Sequence, residues 1–340
     1  MLEKPDLQDD RILTCLQDEY GLSVGQITFL PLGADQNTAV YRVVAEDGTS
    51  YFAKLRRGDF DESAVRVPKF LSDLGITQII SSLPTRREQL WASLDTFKMI
   101  LYPFVEGHNG FEVDLSDQQR IEFGKALKSF HTANVPSELT KGVRRETFSP
   151  QWRDKVKLFL KRIENETFGE SVAAELAAFL KSKRNEALEL VNRSERLALG
   201  LQVQSSEFIL CHADIHAWNL LIDANGALYI IDWDTLIFAP KERDLMFVGA
   251  GLGGNGHSLQ EEATLFYQGY GPTQIDPVGI AYYRYERIIE DIAIYCEQIF
   301  LSDEGGKDRE QSLGYLKSSF LPNSTIAIAH QSDNQIRLGR

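Results

Sequence analysis

The chain has 340 residues, 43% of them hydrophobic and 25% charged, which is ordinary for a globular protein and long enough for two domains. No stretch approaches the roughly 20 apolar residues that a membrane-spanning helix needs, and the first residues lack the features of a signal peptide. The net charge is −13, and residues 201–340 hold 19 acidic against 9 basic residues, which argues against a nucleic-acid partner and favours a cationic one.

The first hundred residues are predicted to be rich in strands. Apolar alternation and turn residues place the elements in this order: a helix over 8–20, strands over 27–32, 39–44 and 50–55, a helix over 60–74 that contains Pro68, and strands over 90–94 and 97–105. Asp47-Gly48 is a strong hairpin signal between the second and third strands. This segment is predicted to be a β-meander with a glycine-bearing turn.

A lysine in the middle of the third predicted strand is the candidate phosphate-binding residue. Lys54 follows a glycine-bearing turn and precedes a helix, an order that favours a nucleotide cleft over solvent. The turn over 33–38 lacks the repeated glycines of a phosphate loop, so it would use backbone N–H groups with Asn37 and Thr38. Glu62 is the candidate carboxylate partner of Lys54, and an exposed acid at a helix start is an equally good interpretation.

An apolar, extended connector over 99–107 is the candidate adenine-binding hinge. Pro103 offers only its carbonyl, and Val105, beyond Phe104, offers an N–H two residues later. That spacing suits the Watson–Crick edge of adenine, although an ordinary core strand that runs into a turn explains the same residues.

Helical periodicity dominates after residue 107. Helices are predicted over 116–134, 150–165, 171–192, 257–270, 278–300 and 308–319. The tail over 321–340 is polar with weak periodicity and is expected to be poorly ordered. The expected domains are an N-terminal lobe over 1–105 with a hinge at 102–107, and a C-terminal lobe over 106–320.

Three polar residues are spaced as phosphoryl transfer requires. Asn219 follows Asp214 by five residues, and Asp232 comes thirteen residues later, after a predicted strand, turn and strand. In kinases one carboxylate orients the attacking hydroxyl and accepts its proton, while an Asn and a second Asp hold Mg²⁺. We predict Asp214 as the base and Asn219 and Asp232 as metal ligands, against the alternative that these residues merely favour turns.

Two histidines flank the predicted base. His212 is expected to hydrogen-bond the loop backbone as a scaffold rather than to act as an acid or base. His216 is more simply a solvated loop residue.

With these residues, the chain resembles the aminoglycoside phosphotransferase family, and within it the members that act on aminocyclitols such as spectinomycin. The matching segments are LCHADIHAWNLLID at 210–223, IIDWD at 230–234, YFAK at 51–54, YPFVEG at 102–107 and KERDL at 241–245. The resemblance implies a bilobal, protein-kinase-like α+β fold, with ATP and Mg²⁺ as cofactors. It also implies phosphorylation of a hydroxyl of an aminocyclitol or aminoglycoside antibiotic, and therefore resistance.

The resemblance carries roles over by position. Asp214 matches the catalytic base, Asn219 and Asp232 match the metal ligands, and Lys54 matches the phosphate-contacting lysine. The backbone over 103–105 matches the adenine hinge. Asp234 and the Arg243–Asp244 pair match positions that shape the loop and core.

A cationic substrate would need carboxylates, and the predicted helix over 278–300 offers them. Glu286 and Glu290 lie four residues apart and share a helix face, with Asp291 and Tyr285 beside them. A solvated acidic face is an equally good interpretation.

Two further functions stay open. One is a metabolic kinase that acts on choline, methylthioribose or homoserine, and the other is a kinase-like regulatory protein without turnover. The three cysteines are far apart in sequence and fit a reducing cytoplasm, and a monomer is the default expectation.

Overall fold

The protein forms two compact units, each assembled from three segments of the chain. In the computed structural model the described residues are 3–33, 35–204, 206–249, 258–302 and 306–338. The first unit comprises residues 1–144, 212–237 and 251–272, and the second comprises residues 145–211, 238–250 and 273–340. These units do not follow the expected boundary at residue 105, so the division into lobes at 102–107 remains a prediction.

The helices and strands are numbered along the chain. The strands are β1 (Val24–Leu30), β2 (Thr38–Ala45), β3 (Ser50–Arg57), β4 (Ala92–Leu94), β5 (Phe97–Pro103), β6 (Gly107–Asn109), β7 (Arg144–Arg145), β8 (Ile209–Cys211), β9 (Leu220–Asp223), β10 (Leu228–Ile230) and β11 (Ile237–Ala239). The helices are α1 (Asp9–Cys15), α2 (Ser63–Asp73), α3 (Asp117–Thr132), α4 (Gln151–Asn165), α5 (Ser171–Ser182), α6 (Arg184–Gln202), α7 (Glu242–Leu245), α8 (Leu259–Tyr270), α9 (Pro277–Phe300), α10 (Gly306–Ser319) and α11 (Thr325–Leu338).

The main sheet of the first unit has five antiparallel strands in the order β1-β2-β3-β5-β4. Along β3, Ala53 and Leu55 are fully buried in an apolar core that also contains Ile12 of α1. Lys54 and Arg56 alternate with these residues, and successive side chains of a strand point to opposite faces. Both cations are therefore presented together on the face that points away from this core.

A second, small sheet in the same unit has the order β10-β9-β6. Its hairpin closes at Gly226, whose φ of 83° lies in the left-handed region that glycine adopts without strain. The strands and turn predicted from the sequence between Asn219 and Asp232 are confirmed by β9 and β10. This hairpin brings the two ends of the predicted site back to one place.

Helices α3 and α8 of the first unit pack so closely that their backbones touch. A Cβ atom on Gly124 would lie 2.1 Å from the carbonyl oxygen of Phe266, and one on Gly269 would lie 1.8 Å from that of Ile121. Only glycine fits at these two positions. Helix α3 itself begins at a capping box formed by Ser116 and Gln119.

The second unit is built around α9. Its buried residues Tyr285, Ile289, Ala293 and Cys296 form one core with apolar side chains of α4, α5, α6, α10 and α11. The chain's remaining strands form a sheet in the order β7-β11-β8. No helix of the part described here is long and apolar enough to cross a membrane.

Two predictions about helices need correction. The stretch over 171–192 is not one helix, because α5 ends at Ser182 and α6 starts at Arg184, with Lys183 in a non-helical conformation between them. The tail is not poorly ordered where it is described: α11 is a helix whose Ile326 and Ala329 are buried in the core, and residues 339–340 lie outside the described part. The combination of sheets and helices confirms the α+β class.

Candidate active site

The loop between β8 and β9 brings Asp214 and Asn219 together. The side-chain Nδ2 of Asn219 donates to the backbone oxygen of Asp214 at 2.8 Å and lies 3.4 Å from its Oδ2. A short 3₁₀ turn, Ala217–Asn219, leads directly into β9 and fixes the asparagine at the strand's start. Ala213, just before the aspartate, is buried with φ of 70°, so the loop turns sharply at the predicted base.

His212 has the scaffold role predicted for it. It is fully buried, and its Nε2 contacts the backbone oxygen of Ile231 at 3.0 Å. The hydroxyl of Thr235 donates to the backbone oxygen of His212 at 2.7 Å. These bonds tie the loop to the segment that follows β10.

His216 is not the solvated histidine that the sequence suggested. Its Nε2 lies 3.4 Å from Oδ1 of Asp214 and 3.5 Å from Nδ2 of Asn219, and its side chain is 29% exposed. The ring therefore belongs to the group of side chains around the predicted base.

Asp232 joins this group from the segment after β10. The N–H of Ile231 donates to the backbone oxygen of Asn219 at 3.0 Å, which places the residue before β9 next to the segment that follows β10. Asp232 has φ of 61°, a left-handed conformation that aspartate tolerates better than most residues. The charge of Lys54 lowers the pKa of Asp232, while burial and the carboxylate of Asp214 act in the opposite direction.

Lys54 lies between two carboxylates. Its Nζ donates to Oδ1 of Asp232 and to Oδ2 of Asp234, both at 2.8 Å. Burial alone would lower the pKa of this lysine, but the two carboxylates outweigh burial and raise it, so Lys54 is held as a cation. Asp234 is the partner that the sequence did not predict, although it lies only two residues beyond Asp232.

Glu62 is not the partner of Lys54, so that prediction is wrong. Its carboxylate pairs with Arg66 one helical turn later at 2.7 Å, and both side chains are largely exposed. Glu62 immediately precedes α2, whereas the ammonium group of Lys54 is buried on the face of the sheet occupied by Asp232 and Asp234. The alternative interpretation, an exposed acid at a helix start, is the one that the structure supports.

The turn before β2 is organised by a residue that the sequence analysis overlooked. Asp35 accepts the N–H of Asn37 at 2.8 Å through Oδ1 and the hydroxyl of Thr38 at 2.9 Å through Oδ2. Nη1 of Arg56 donates to Oδ2 of Asp35 at 2.7 Å and to Oδ2 of Asp234 at 2.9 Å. The two-residue spacing of Lys54 and Arg56 on one strand was the signal that would have revealed the second cation.

The predicted hinge begins where β5 ends. Pro103 is exposed and is the last residue of that strand, while Phe104 and Val105 are partly buried. The N–H of Phe104 donates to the backbone oxygen of Ser50 at 3.2 Å, and the guanidinium of Arg42 lies 4.6 Å from the centre of its ring. These contacts hold the connector in an extended form, and its adenine-binding role remains a prediction.

The predicted substrate residues lie on α9 in the second unit. Tyr285 is fully buried and its hydroxyl contacts Nδ1 of His330 at 2.8 Å. Glu286 is 6% exposed, accepts the hydroxyl of Ser194 at 2.6 Å, and is held 3.3 Å from Arg153. The prediction that Tyr285 and Glu286 form an open substrate-binding face is therefore wrong, because both side chains are buried inside the unit.

Glu290 and Asp291 are more accessible, with side chains 17% and 27% exposed. Glu290 lies 3.4 Å from Arg243, and Asp291 lies 3.2 Å from Arg287. Their role in binding a cationic substrate remains a prediction.

The side chains around Asp232 are suited to Mg²⁺. This ion prefers oxygen ligands and is commonly held by one or two carboxylates together with phosphate and water. Asp232 supplies a half-exposed carboxylate, and Asn219, whose amide nitrogen faces Asp214, has its amide oxygen left for a cation. The donor set therefore fits a magnesium ion beside Lys54.

Comparison with known proteins agrees with this geometry. The sequence profile of the phosphotransferase enzyme family matches residues 28–282. The structure is similar to spectinomycin phosphotransferase APH(9)-Ia in complex with ADP and spectinomycin, with 35% sequence identity over 97% of this chain and 99% of that chain and a TM-score of 0.87. The AMP-bound complex of that enzyme matches 94% of this chain and 98% of its own at 35% identity, with a TM-score of 0.83.

A more distant match shows the fold alone. Amicoumacin kinase hAmiN is 17% identical over 96% of this chain and 94% of its own, with a TM-score of 0.60. Together the matches confirm the resemblance drawn from the sequence and the kinase-like fold that it implied.

Proposed function

Since the chain belongs to the phosphotransferase enzyme family, we propose that it transfers the γ-phosphoryl group of ATP to a hydroxyl of an aminocyclitol antibiotic, with spectinomycin as the acceptor. The observation that supports this most directly is the meeting of Asp214, Asn219, Asp232 and Lys54 within one unit. A regulatory protein without turnover would have no need of all four.

Asp214 is the catalytic base of this proposal. A carboxylate next to the acceptor orients the attacking hydroxyl and takes its proton as the bond to phosphorus forms. The asparagine that donates to Asp214 and the neighbouring ring of His216 limit the rotation of that carboxylate. Its orientation is therefore set before the acceptor binds.

Asn219 and Asp232 would hold Mg²⁺. When bound, the ion neutralises the charge of the β- and γ-phosphates and keeps the transferred group in line with the acceptor. Lys54 supplies a fixed positive charge to the phosphates, since its ammonium group is already positioned by two carboxylates. Pro103 and Val105 would present a carbonyl and an N–H to adenine.

The acceptor is proposed from charge and from the similarity to APH(9)-Ia. Spectinomycin carries amines that are protonated at neutral pH, and the acidic excess of residues 201–340 favours such a cation. Glu290 and Asp291, two of the partly exposed carboxylates of α9, are proposed to pair with these amines. We place the reaction in the cytoplasm of a resistant cell, as an activity of a monomer.

The test is Mg²⁺-ATP turnover by the purified protein. Spectinomycin, other aminoglycosides, choline, methylthioribose and homoserine are offered separately, and ADP release is measured for each. Asp214→Asn protein serves as the matched control for contaminating kinases. Turnover with spectinomycin supports the proposal, turnover with a metabolite alone replaces the acceptor, and ATP binding without turnover on any acceptor contradicts it.

A further inference from the structure

The carboxylate of Asp35 is bound by the set of groups that usually binds a phosphate. Among the residues that the structure describes, it accepts from a backbone N–H of Asn37, the hydroxyl of Thr38 and the guanidinium of Arg56, at 2.8, 2.9 and 2.7 Å. Backbone N–H groups in turns, hydroxyls and arginine together form typical anion sites. The turn before β2 is thus an anion site whose present ligand is the protein's own side chain.

Arg56 joins this anion site to Lys54. Its Nη1 donates to Oδ2 of Asp234, the same oxygen atom that accepts Nζ of Lys54. Two cations that share one oxygen are no further apart than the length of two hydrogen bonds. An anion with several oxygens in a row, such as a polyphosphate, can therefore bridge both of them.

The charge of this cluster opposes a polyphosphate while Asp35 is bound. Three carboxylates, those of Asp35, Asp232 and Asp234, surround two cations, so the group carries net negative charge. Bringing in a further anion at short range is unfavourable unless one carboxylate leaves.

Asp35 is the carboxylate that can leave. Asp232 and Asp234 flank Trp233, which is 5% exposed and whose ring N–H donates to the backbone oxygen of Ile230 at 3.1 Å. That anchor fixes the backbone between the two acids. Asp35 instead lies in the turn before β2, where the next residues, Gln36 and Asn37, are partly exposed and exposed. Its side chain is 42% exposed, close to the 47% of Asp232, so the anchor at Trp233 rather than exposure sets Asp35 apart.

We propose that Arg56 is a second phosphate-binding residue of this site, and that the carboxylate of Asp35 occupies the place of a nucleotide phosphate until the nucleotide displaces it. The exchange replaces one anion by another at Arg56, Asn37 and Thr38. It rests on the proposed function in that the displacing phosphate belongs to ATP, while the anion site itself is defined by Asp35 and its donors.

The experiment measures calorimetric binding of tripolyphosphate, adenosine and ADP, without Mg²⁺, to the full chain and its variants. Asp35→Asn keeps an oxygen for the N–H of Asn37, and removes both the charge and the acceptor that binds Thr38 and Arg56. With the competing anion gone, tripolyphosphate should bind roughly threefold more tightly. Arg56→Gln should weaken tripolyphosphate binding about tenfold, as loss of a charged hydrogen bond predicts. Adenosine should bind all variants equally.

Arg11 and Asp95 form an exposed ion pair in the same unit, and Arg11→Gln with Asp95→Asn are the matched controls. Arg56→Lys retains the positive charge and should bind tripolyphosphate better than Arg56→Gln and less well than wild type. If Arg56→Gln does not fold, Arg56→Lys takes its place in the comparison. Weaker tripolyphosphate binding by Asp35→Asn, or an Arg56→Gln effect no larger than that of Arg11→Gln, would overturn the proposal. So would failure of tripolyphosphate to bind both wild type and Asp35→Asn.

The two proposals can fail separately. If the affinity for tripolyphosphate changes as expected in the Asp35 and Arg56 variants but the protein neither binds ADP nor turns over ATP, the anion site stands and the kinase proposal fails. If ATP turnover is normal and neither substitution changes the affinity for tripolyphosphate, the kinase proposal stands and the anion site fails.

Discussion

The two units place basic side chains beside carboxylates for different purposes. In the second unit, Arg153 is 2% exposed: it donates to the backbone oxygens of Phe148 and Ser149 at 2.9 Å and lies 3.3 Å from Glu286. In the first unit, Lys54 and Arg56 are shared among three carboxylates, two of which are more than 40% exposed.

The difference separates a structural ion pair from a site for ligands. A buried arginine held by backbone oxygens and a buried carboxyl contributes to one folded state, and it has no place for a ligand. A half-exposed cluster with more carboxylates than cations can exchange one of its own anions for a ligand or can accept a metal ion. Variants in the two units should therefore affect different quantities.

The largest effect is expected at the base. Asp214→Asn should lower kcat about 10³-fold, because general-base catalysis by a positioned side chain contributes on that order. ADP binding should stay at the wild-type level, since Asp214 contacts the acceptor rather than the nucleotide. Steady-state kinetics with calorimetry would check both, and wild-type turnover by this variant would remove Asp214 from the role.

The next effect is expected at the metal ligand. Asp232→Asn should lower kcat/KM about 10²-fold or more, since a preorganised electrostatic contact to the phosphates is lost. Asparagine tolerates the left-handed backbone at this position, so the substitution should not add backbone strain that would lower activity by itself. Titration of ADP with and without Mg²⁺ is the direct measurement. If added Mg²⁺ strengthens ADP binding equally in wild type and variant, Asp232 does not bind the metal.

A pH effect is expected in the second unit. Burial raises the pKa of Glu286 from 4.5 to about 7, so between these values the folded state binds more protons than the unfolded state. The carboxyl's contribution to stability is therefore complete below pH 4.5 and is lost as the pH rises through 7. Relative to Glu286→Gln, the wild-type free energy of unfolding should fall by about 3 kcal/mol over this window.

Urea denaturation of both proteins at several pH values would measure that difference. Glu195→Gln, which removes a half-exposed carboxylate paired with Lys157 in the same unit, is the control. Parallel stability curves for wild type and Glu286→Gln would show that burial does not hold Glu286 protonated.

The smallest effect is expected at Glu62. Because its partner is Arg66 on an exposed surface, Glu62→Gln should change the free energy of unfolding by less than about 0.5 kcal/mol and leave the KM for ATP unchanged. Asp234→Asn, the matched change at a carboxylate that does contact Lys54, should raise the KM roughly tenfold. If Glu62→Gln and Asp234→Asn changed the KM for ATP equally, Asp234 would not be the functional partner of Lys54.

The parts of the site that are close in sequence could be predicted from it. Asp214, Asn219 and Asp232 lie within one loop and one hairpin, so local turn and strand signals suffice to bring them together. The partners of Lys54 are 178 and 180 residues away, and no local pattern reports a contact over that distance. The choice of Glu62 failed because it relied on nearness along the chain.

The same limit explains the tail. Helix α11 is held by polar as well as apolar contacts: Ser332 accepts a hydrogen bond from Arg284 at 2.7 Å, and Asp333 accepts one from Arg193 at 2.6 Å. Those arginines lie on α6 and α9, so their pairing with α11 is invisible to a periodicity argument. The tail was therefore expected to be poorly ordered, although buried Ile326 and Ala329 together with these polar contacts anchor it.

The position of Trp233 has an optical consequence. In sequence Trp233 separates the two acids that hold Lys54, and its ring lies 4.7 Å from that of His212 and 5.1 Å from that of Phe130. Of the chain's four tryptophans it is the one flanked in sequence by two residues that contact Lys54. Its fluorescence is thus a built-in reporter: a cation or phosphate that arrives at Asp232 alters the electric field at the indole, and emission records the event without an added dye.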